Sequence, residues 1–164
     1  MVAARSLAPK AARLLSLDEQ ICFPIYAASN LLQRVYRPLL EPLGLTYAQY
    51  LVMLVLWEND DVPVKALSER LLLDSGTLSP LLKRLEAQRL VRKRADASDR
   101  RMMRIGLTPK GRALRAEAVR VPETLACRML GEGGPEAAAR FFELRAQMKS
   151  LVSELERALG PQGE

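Results

Sequence analysis

Two thiols are the side chains of this chain best suited to covalent chemistry. Cys22 lies in Asp18-Glu19-Gln20-Ile21-Cys22-Phe23-Pro24-Ile25-Tyr26, and Cys127 lies in Thr124-Leu125-Ala126-Cys127-Arg128. A thiolate is a nucleophile toward peroxides and disulfides, whereas an ordinary cysteine packs as a small hydrophobe. The residues alone leave both readings open. No histidine occurs among the 164 residues, which removes imidazole general bases, Ser-His-Asp and Cys-His arrangements, and every zinc site that needs imidazole. Two cysteines are too few for a four-thiolate site. Carboxylates, lysines and tyrosines remain, and the sequence calls for no cofactor or metal.

A second group of residues suits binding rather than bond-making. Helix formers run from Val64 to Leu72, a turn follows through Asp74-Ser75-Gly76, and a second helix is expected from Thr77 to Glu86. In it Leu78, Leu81, Leu82 and Leu85 form an i, i+3, i+4, i+7 stripe facing a core. That leaves Ser75, Thr77, Ser79, Lys83 and Arg84 on or near exposed faces, with Asp74 before them. Short hydroxyls near a helix N-terminus suit phosphates and base edges. Leu90 to Arg94 and Met102 to Ile105 then flank the turn-rich Asp96-Ala97-Ser98-Asp99, giving a hairpin that carries Arg92, Lys93, Arg94, Arg100, Arg101 and Arg104. An arginine-bearing ribbon can enter the minor groove, and an adjacent aspartate, Asp96 or Asp99, could hold one such arginine in position. Helix, turn, helix and basic ribbon make a winged helix-turn-helix, with double-stranded DNA as partner. A merely solvated charged hairpin is the competing reading, and its position directly after the two helices argues against it.

Composition agrees. The formal charge is +6, from 25 Lys+Arg against 19 Asp+Glu, which suits a polyanion. The content is 49% hydrophobic and 5% aromatic, enough for a core in a mainly α fold with a small hairpin wing. No run approaches the roughly 18 apolar residues of a membrane span. No membrane partner is expected, and a cytoplasmic location is.

The elements that must hold these groups are legible from breakers and caps. Residues 1–15 read as a basic, mobile tail and residues 16–45 as a helical dimerising segment that carries Cys22. Ser16 to Glu19 has the pattern of a capping box opening a long helix to about Leu40. Pro24 inside it predicts a kink or restart near Gln20 to Phe23, one that exposes Cys22 or points a helix N-terminus at it. Residues 46–107 form the reading region. They begin with a capping box at Thr46-Tyr47-Ala48-Gln49 and a buried spine from Tyr50 to Trp57. Residues 108–160 are expected to be dimerising helices, with Thr108-Pro109 as cap and first turn. A helix to about Arg120 is followed by Pro122, a breaker at Gly131 to Pro135 and a last helix from Glu136 to about Leu159. The outer helices have no separate globule to cover, so a homodimer is expected. It would set its reading helices about 34–36 Å apart on a pseudo-palindromic operator.

The segments Ile21-Cys22-Phe23, Tyr26, Tyr36 to Leu40, Leu45 to Leu51, Leu54 to Glu58 and Leu73 to Leu85 together resemble the organic-hydroperoxide-sensing branch of the MarR repressor family. The likeness runs over about residues 17 to 130 and is most specific up to Leu85. It implies a MarR-like dimeric repressor in which organic hydroperoxide oxidises Cys22. Tyr36 and Tyr47 would hydrogen-bond its thiolate across the dimer interface, with Tyr26 nearby. It also implies that Cys127 captures the sulfenic acid as an inter-subunit disulfide, and that Asp99-Arg100-Arg101 makes Arg101 the minor-groove residue. A repressor relieved by a small aromatic ligand is the alternative. A thiol peroxidase is disfavoured, because such an enzyme would not need a basic reading head. The expected class is a regulator, not an enzyme.

Overall fold

The computed structural model describes residues 14–130 and 134–160. Most of the expected tail, residues 1–13, and residues 131–133 of the glycine-rich breaker lie outside the described residues. The chain divides into two compact units, Met1–Val119 and Arg120–Glu164.

In the first unit a single 3-10 turn, Leu17–Glu19, precedes helix α1, Cys22–Leu40. The Ser16 side chain makes no capping bond, so the expected capping box does not form. Pro24 explains why. Its ring would clash with the Gln20 carbonyl in a continuous helix, and Gln20 is extended (φ −92°, ψ 125°). The helix therefore begins at Cys22, which leaves Pro24 in the first turn, where its missing N–H costs least. The predicted restart is present and the helix ends at Leu40 as expected, but its expected start on Ser16 does not form.

A 3-10 turn, Glu41–Leu43, closes on Gly44 in the left-handed region (φ 65°) and hands the chain to helix α2, Tyr47–Glu58. Here the capping box is real: the Gln49 N–H donates to Thr46 Oγ1 and the Thr46 N–H to Gln49 Oε1. Val52, Met53 and Leu56 of α2 are completely buried, as a spine must be. The Trp57 indole N–H donates to the Gly111 carbonyl at 2.9 Å, so its polar edge is satisfied inside the core.

Strand β1, Val62–Pro63, helix α3, Val64–Leu71, and helix α4, Ser75–Ala87, follow. Asp74, expected in the turn, is the N-cap of α4, and Ser75 and Gly76 are its first helical residues. Leu78, Leu82 and Leu85 are buried as the stripe predicted, while Leu81 is only half-buried. The hairpin is β2, Val91–Ala95, against β3, Met103–Leu107, with Arg94 opposite Arg104. The sequence reading missed β1. It pairs antiparallel with the far edge of β3, giving the order β1-β3-β2. Proline is tolerated there because β1 is an edge.

Helix α5, Pro109–Ala118, starts on a Thr108 cap whose Oγ1 accepts the Gly111 N–H at 3.0 Å. It ends at Ala118 with Val119 as C-cap, close to the expected end near Arg120. The second unit holds α6, Arg120–Leu130, with Pro122 in its first turn, and α7, Gly134–Leu159. No single helix among the described residues is long and apolar enough to cross a membrane.

Candidate nucleic-acid interface and thiol site

Helix α4 is built to start where it does. Asp74 Oδ1 accepts the Thr77 N–H at 2.8 Å, and Asp74 Oδ2 accepts the Thr77 hydroxyl at 2.7 Å. These bonds favour the ionised carboxyl and hold Asp74 below the usual carboxylate range. Its carboxylate is thus committed to the cap. Ser75, Thr77, Ser79, Lys83 and Arg84 are all exposed. Ser79 and Lys83 share a groove of about 380 Å³ with Lys93 of the wing. Arg84 lines a larger cleft with α1.

The wing separates its cations into two sets. Arg92, Lys93, Arg100 and Arg101 are exposed, and the Arg101 side chain is 92% accessible. Arg101 donates through Nε to Asp99 Oδ1 at 3.2 Å, and its backbone N–H reaches the same oxygen at 3.0 Å, so Asp99 does lie against Arg101. Arg94 and Arg104, counted among the wing's basic groups from sequence, are tied down. Both donate to Asp61, and Arg104 Nη1 also donates to Asp96 Oδ2 at 3.0 Å. Asp96 in turn organises the tip. Its Oδ1 accepts from the Ser98 N–H, the Ser98 hydroxyl and the Asp99 N–H, and these donors with Arg104 hold its carboxyl far below the usual range. Asp60 joins the same corner, accepting the Leu107 N–H at 2.7 Å and Arg112 at 2.5 Å. Sequence reasoning gave Asp60 and Asp61 no part in the site. An acidic pair facing an arginine-rich hairpin was the available signal.

The thiol residues are arranged differently. Cys22 is the first residue of α1 and is exposed, and Cys127 is exposed on α6. Tyr26, one turn beyond Cys22, is 67% accessible. The Tyr36 and Tyr47 rings are tilted against each other with centroids 4.9 Å apart, and the Tyr36 and Tyr50 ring centroids are 5.8 Å apart. Burial, with the neighbouring phenols Tyr50 and Tyr47, pushes the Tyr36 hydroxyl up to about 12. Burial also raises Tyr47. These phenols stay protonated at neutral pH and can donate. Tyr36 nevertheless lies fourteen residues along α1 from Cys22, about 21 Å at 1.5 Å per residue. Within one chain, the structure does not bring the thiol to the Tyr36–Tyr47 pair.

Tyr26 and Tyr47 also border the cleft of about 1160 Å³ that Arg84 lines. Arg34, Arg37 and Gln88 line it too. The Gln88 amide donates to the Gly44 carbonyl while its Oε1 is buried without a partner. Among the described residues there is no cluster of three or more His, Cys, Asp or Glu able to hold a metal.

Comparison with known proteins places this geometry. The profile described as the MarR family matches residues 43–102. The chain is 53% identical over 138 residues to the HTH-type transcriptional regulator TtmR of Methylorubrum extorquens, covering 84% of this chain and 67% of that protein. The chain belongs to the MarR family. This MarR-family chain is also 44% identical over 111 residues to the organic hydroperoxide resistance transcriptional regulator of Bacillus subtilis, covering 68% of this chain and 76% of that one. Among solved structures it is similar to reduced AbfR bound to DNA, at 33% identity and a TM-score of 0.62 over 83% of this chain and 95% of that one. The same relative is also known in a disulfide form. The chain is a DNA-binding transcriptional regulator of the MarR type with a winged helix-turn-helix fold.

Proposed function

We propose that this regulator is a homodimeric repressor that releases a pseudo-palindromic operator when an organic hydroperoxide oxidises Cys22. The single observation that carries the reading is the separation along α1. Two protonated, half-buried phenols sit at one end of the helix and an exposed thiol at the other. The resemblance pairs these groups, and about 21 Å of helix prevents them from meeting unless a second copy supplies one side.

A second copy is also what the uncovered surfaces call for. On α1 and the segment before it, Leu17, Ile21, Ile25 and Leu31 are exposed. On α7, Phe142, Met148, Val152 and Leu155 are exposed. Faces of this kind are interaction surfaces. In this reading residues 16–45 and 108–160 build the dimer and residues 46–107 read DNA.

The chemistry follows from the thiols. The Cys22 thiolate attacks the terminal peroxide oxygen, the O–O bond breaks, and the alkoxide leaves as an alcohol after taking a proton. Tyr36 and Tyr47 of the other subunit donate hydrogen bonds to the thiolate. The Cys127 thiol of the other subunit then attacks the sulfenic sulfur, forming a disulfide and releasing water. Ser75, Thr77, Ser79 and Lys83 on α4, with Arg92, Lys93, Arg100 and Arg101 on the wing, contact DNA. Asp74 and Asp99 hold their neighbours in place, and Arg84 sits at the edge of that face.

The test is fluorescence anisotropy of a labelled operator, obtained by selection from a random-sequence library, during titration with cumene hydroperoxide. Wild type should release the duplex and Cys22→Ser should stay bound. Release by the serine variant overturns the reading.

The cleft beside α1 favours a second reading. Arg34, Arg37 and Arg84 line it without an ion pair among the described residues, which suits an aromatic carboxylate. That reading requires salicylate to release the duplex equally well from a Cys22→Ser, Cys127→Ser double variant.

A further inference from the structure

The corner between α2 and β1 does more than end a helix. Asp61 occupies the left-handed region at φ 62°, where a residue with a Cβ is strained and asparagine or aspartate is the least disfavoured. What holds it there is a set of bonds to the wing. Its Oδ1 accepts Arg94 Nε at 3.0 Å, and its Oδ2 accepts Arg94 Nη2 and Arg104 Nε, the latter at 2.9 Å. Its backbone carbonyl accepts Arg104 Nη2. Arg94 and Arg104 face each other across β2 and β3, so one carboxylate grips both strands. The Arg104 side chain is 25% accessible and Arg94 remains 46% accessible.

A guanidinium held bidentately by a carboxylate presents the fork it would otherwise offer to a phosphate. We propose that Asp61 is a specificity-setting positioning residue that withholds Arg94 and Arg104 from the DNA backbone. The wing then meets DNA with Arg92, Lys93, Arg100 and Arg101 alone, its tip held at a fixed attitude through Arg104 and Asp96. Phosphate pairing is sequence-independent and dominates non-specific binding. Withholding two cations therefore lowers non-specific affinity, while fixing the tip preserves specific contact. The inference rests on the wing contacting DNA as proposed above.

The test uses the full chain under reducing conditions and measures affinity for a random-sequence duplex from 50 to 300 mM KCl. Asp61→Asn keeps a residue suited to positive φ and removes the charge. It should bind this duplex more tightly at low salt, with a log–log salt slope steeper by about 0.9 for each arginine that gains a phosphate. Its preference for a selected operator should fall. Asp61→Asn combined with Arg94→Gln and Arg104→Gln should return the slope to the wild-type value. A residue that only stabilises the fold changes affinity without steepening the slope. An unchanged or shallower slope in folded Asp61→Asn overturns the proposal. If that variant does not fold, Arg94→Gln alone decides. The proposal requires a wild-type slope, and a slope shallower by about 0.9 means that Arg94 already touches phosphate. Arg101→Ala separates the two readings: if it leaves the slope unchanged, the wing does not meet DNA and the underlying assignment fails instead.

Discussion

The reading region and the thiol-bearing helices obey opposite design rules. Around α4 and the wing the aspartates have fixed partners, which leaves the exposed cations free. Asp60, Asp61, Asp74, Asp96 and Thr108 each hold two or more bonds, and Leu67, Leu78, Leu85 and Ile105 are fully buried. Of the thiol-bearing helices, α1 buries only Leu40 and α6 only Val121 and Leu125 among the described residues, and α7, which carries no thiol, buries nothing. A module that must present several side chains to a rigid duplex gains from being over-determined. Helices that must change arrangement when a bond forms gain from having no final partner within their own chain. In the proposed reading, output lies in the first region and input in the second.

Core truncation should separate the two regions most sharply. Leu85→Ala should cost about 3 kcal/mol, read by urea unfolding at fixed protein concentration. Leu155→Ala, at a half-exposed site on α7, should barely move unfolding of the reading region and should instead raise the dimer dissociation constant in sedimentation. Equal losses at both sites would break the distinction.

Gly111→Ala comes next. A Cβ there would lie 2.0 Å from the Leu90 carbonyl oxygen, too close to backbone that is itself bonded to Thr108. Destabilisation of about 2 kcal/mol is expected, with loss of the protection that hydrogen exchange should show at the Trp57 indole N–H. Full wild-type stability would mean that α5 is not packed as described.

A smaller contrast lies in the caps. Thr108→Ala should cost about 1 kcal/mol, because that hydroxyl caps α5 and also reaches the Arg89 carbonyl. Ser16→Ala should be neutral, because Ser16 caps nothing.

A further contrast should be seen at alkaline pH. With Tyr36 raised to about 12, the folded protein keeps a proton that the unfolded chain loses near 10. Stability from this group is fully present below pH 10 and declines as pH rises toward 12. Thermal melts between pH 9 and 11 should show the decline, and Tyr36→Phe should reduce it.

What could be read from the sequence was local. The Thr46–Gln49 box, the Thr108-Pro109 start and the Leu78, Leu82, Leu85 stripe depend on residues within two turns of each other, so pattern sufficed. The Ser16 box failed because a proline eight residues later vetoed the helix it would have capped. Strand β1, the Asp61 clamp and the internal role of Arg104 depend on partners 33 to 43 residues away, distances that no local period reports. For the candidate site, the reading helix and wing were legible as a pattern of charge and leucine. The sorting of wing arginines into tied and free was not, because it is decided by the corner that faces them.

The most direct measurement of the thiol account is a non-reducing gel after one equivalent of cumene hydroperoxide, run with wild type, Cys22→Ser and Cys127→Ser. The account predicts a covalent dimer in wild type alone, with peptide mapping that joins Cys22 to Cys127. A covalent dimer in either serine variant, or a wild type that releases DNA while remaining an uncrosslinked chain, would contradict it.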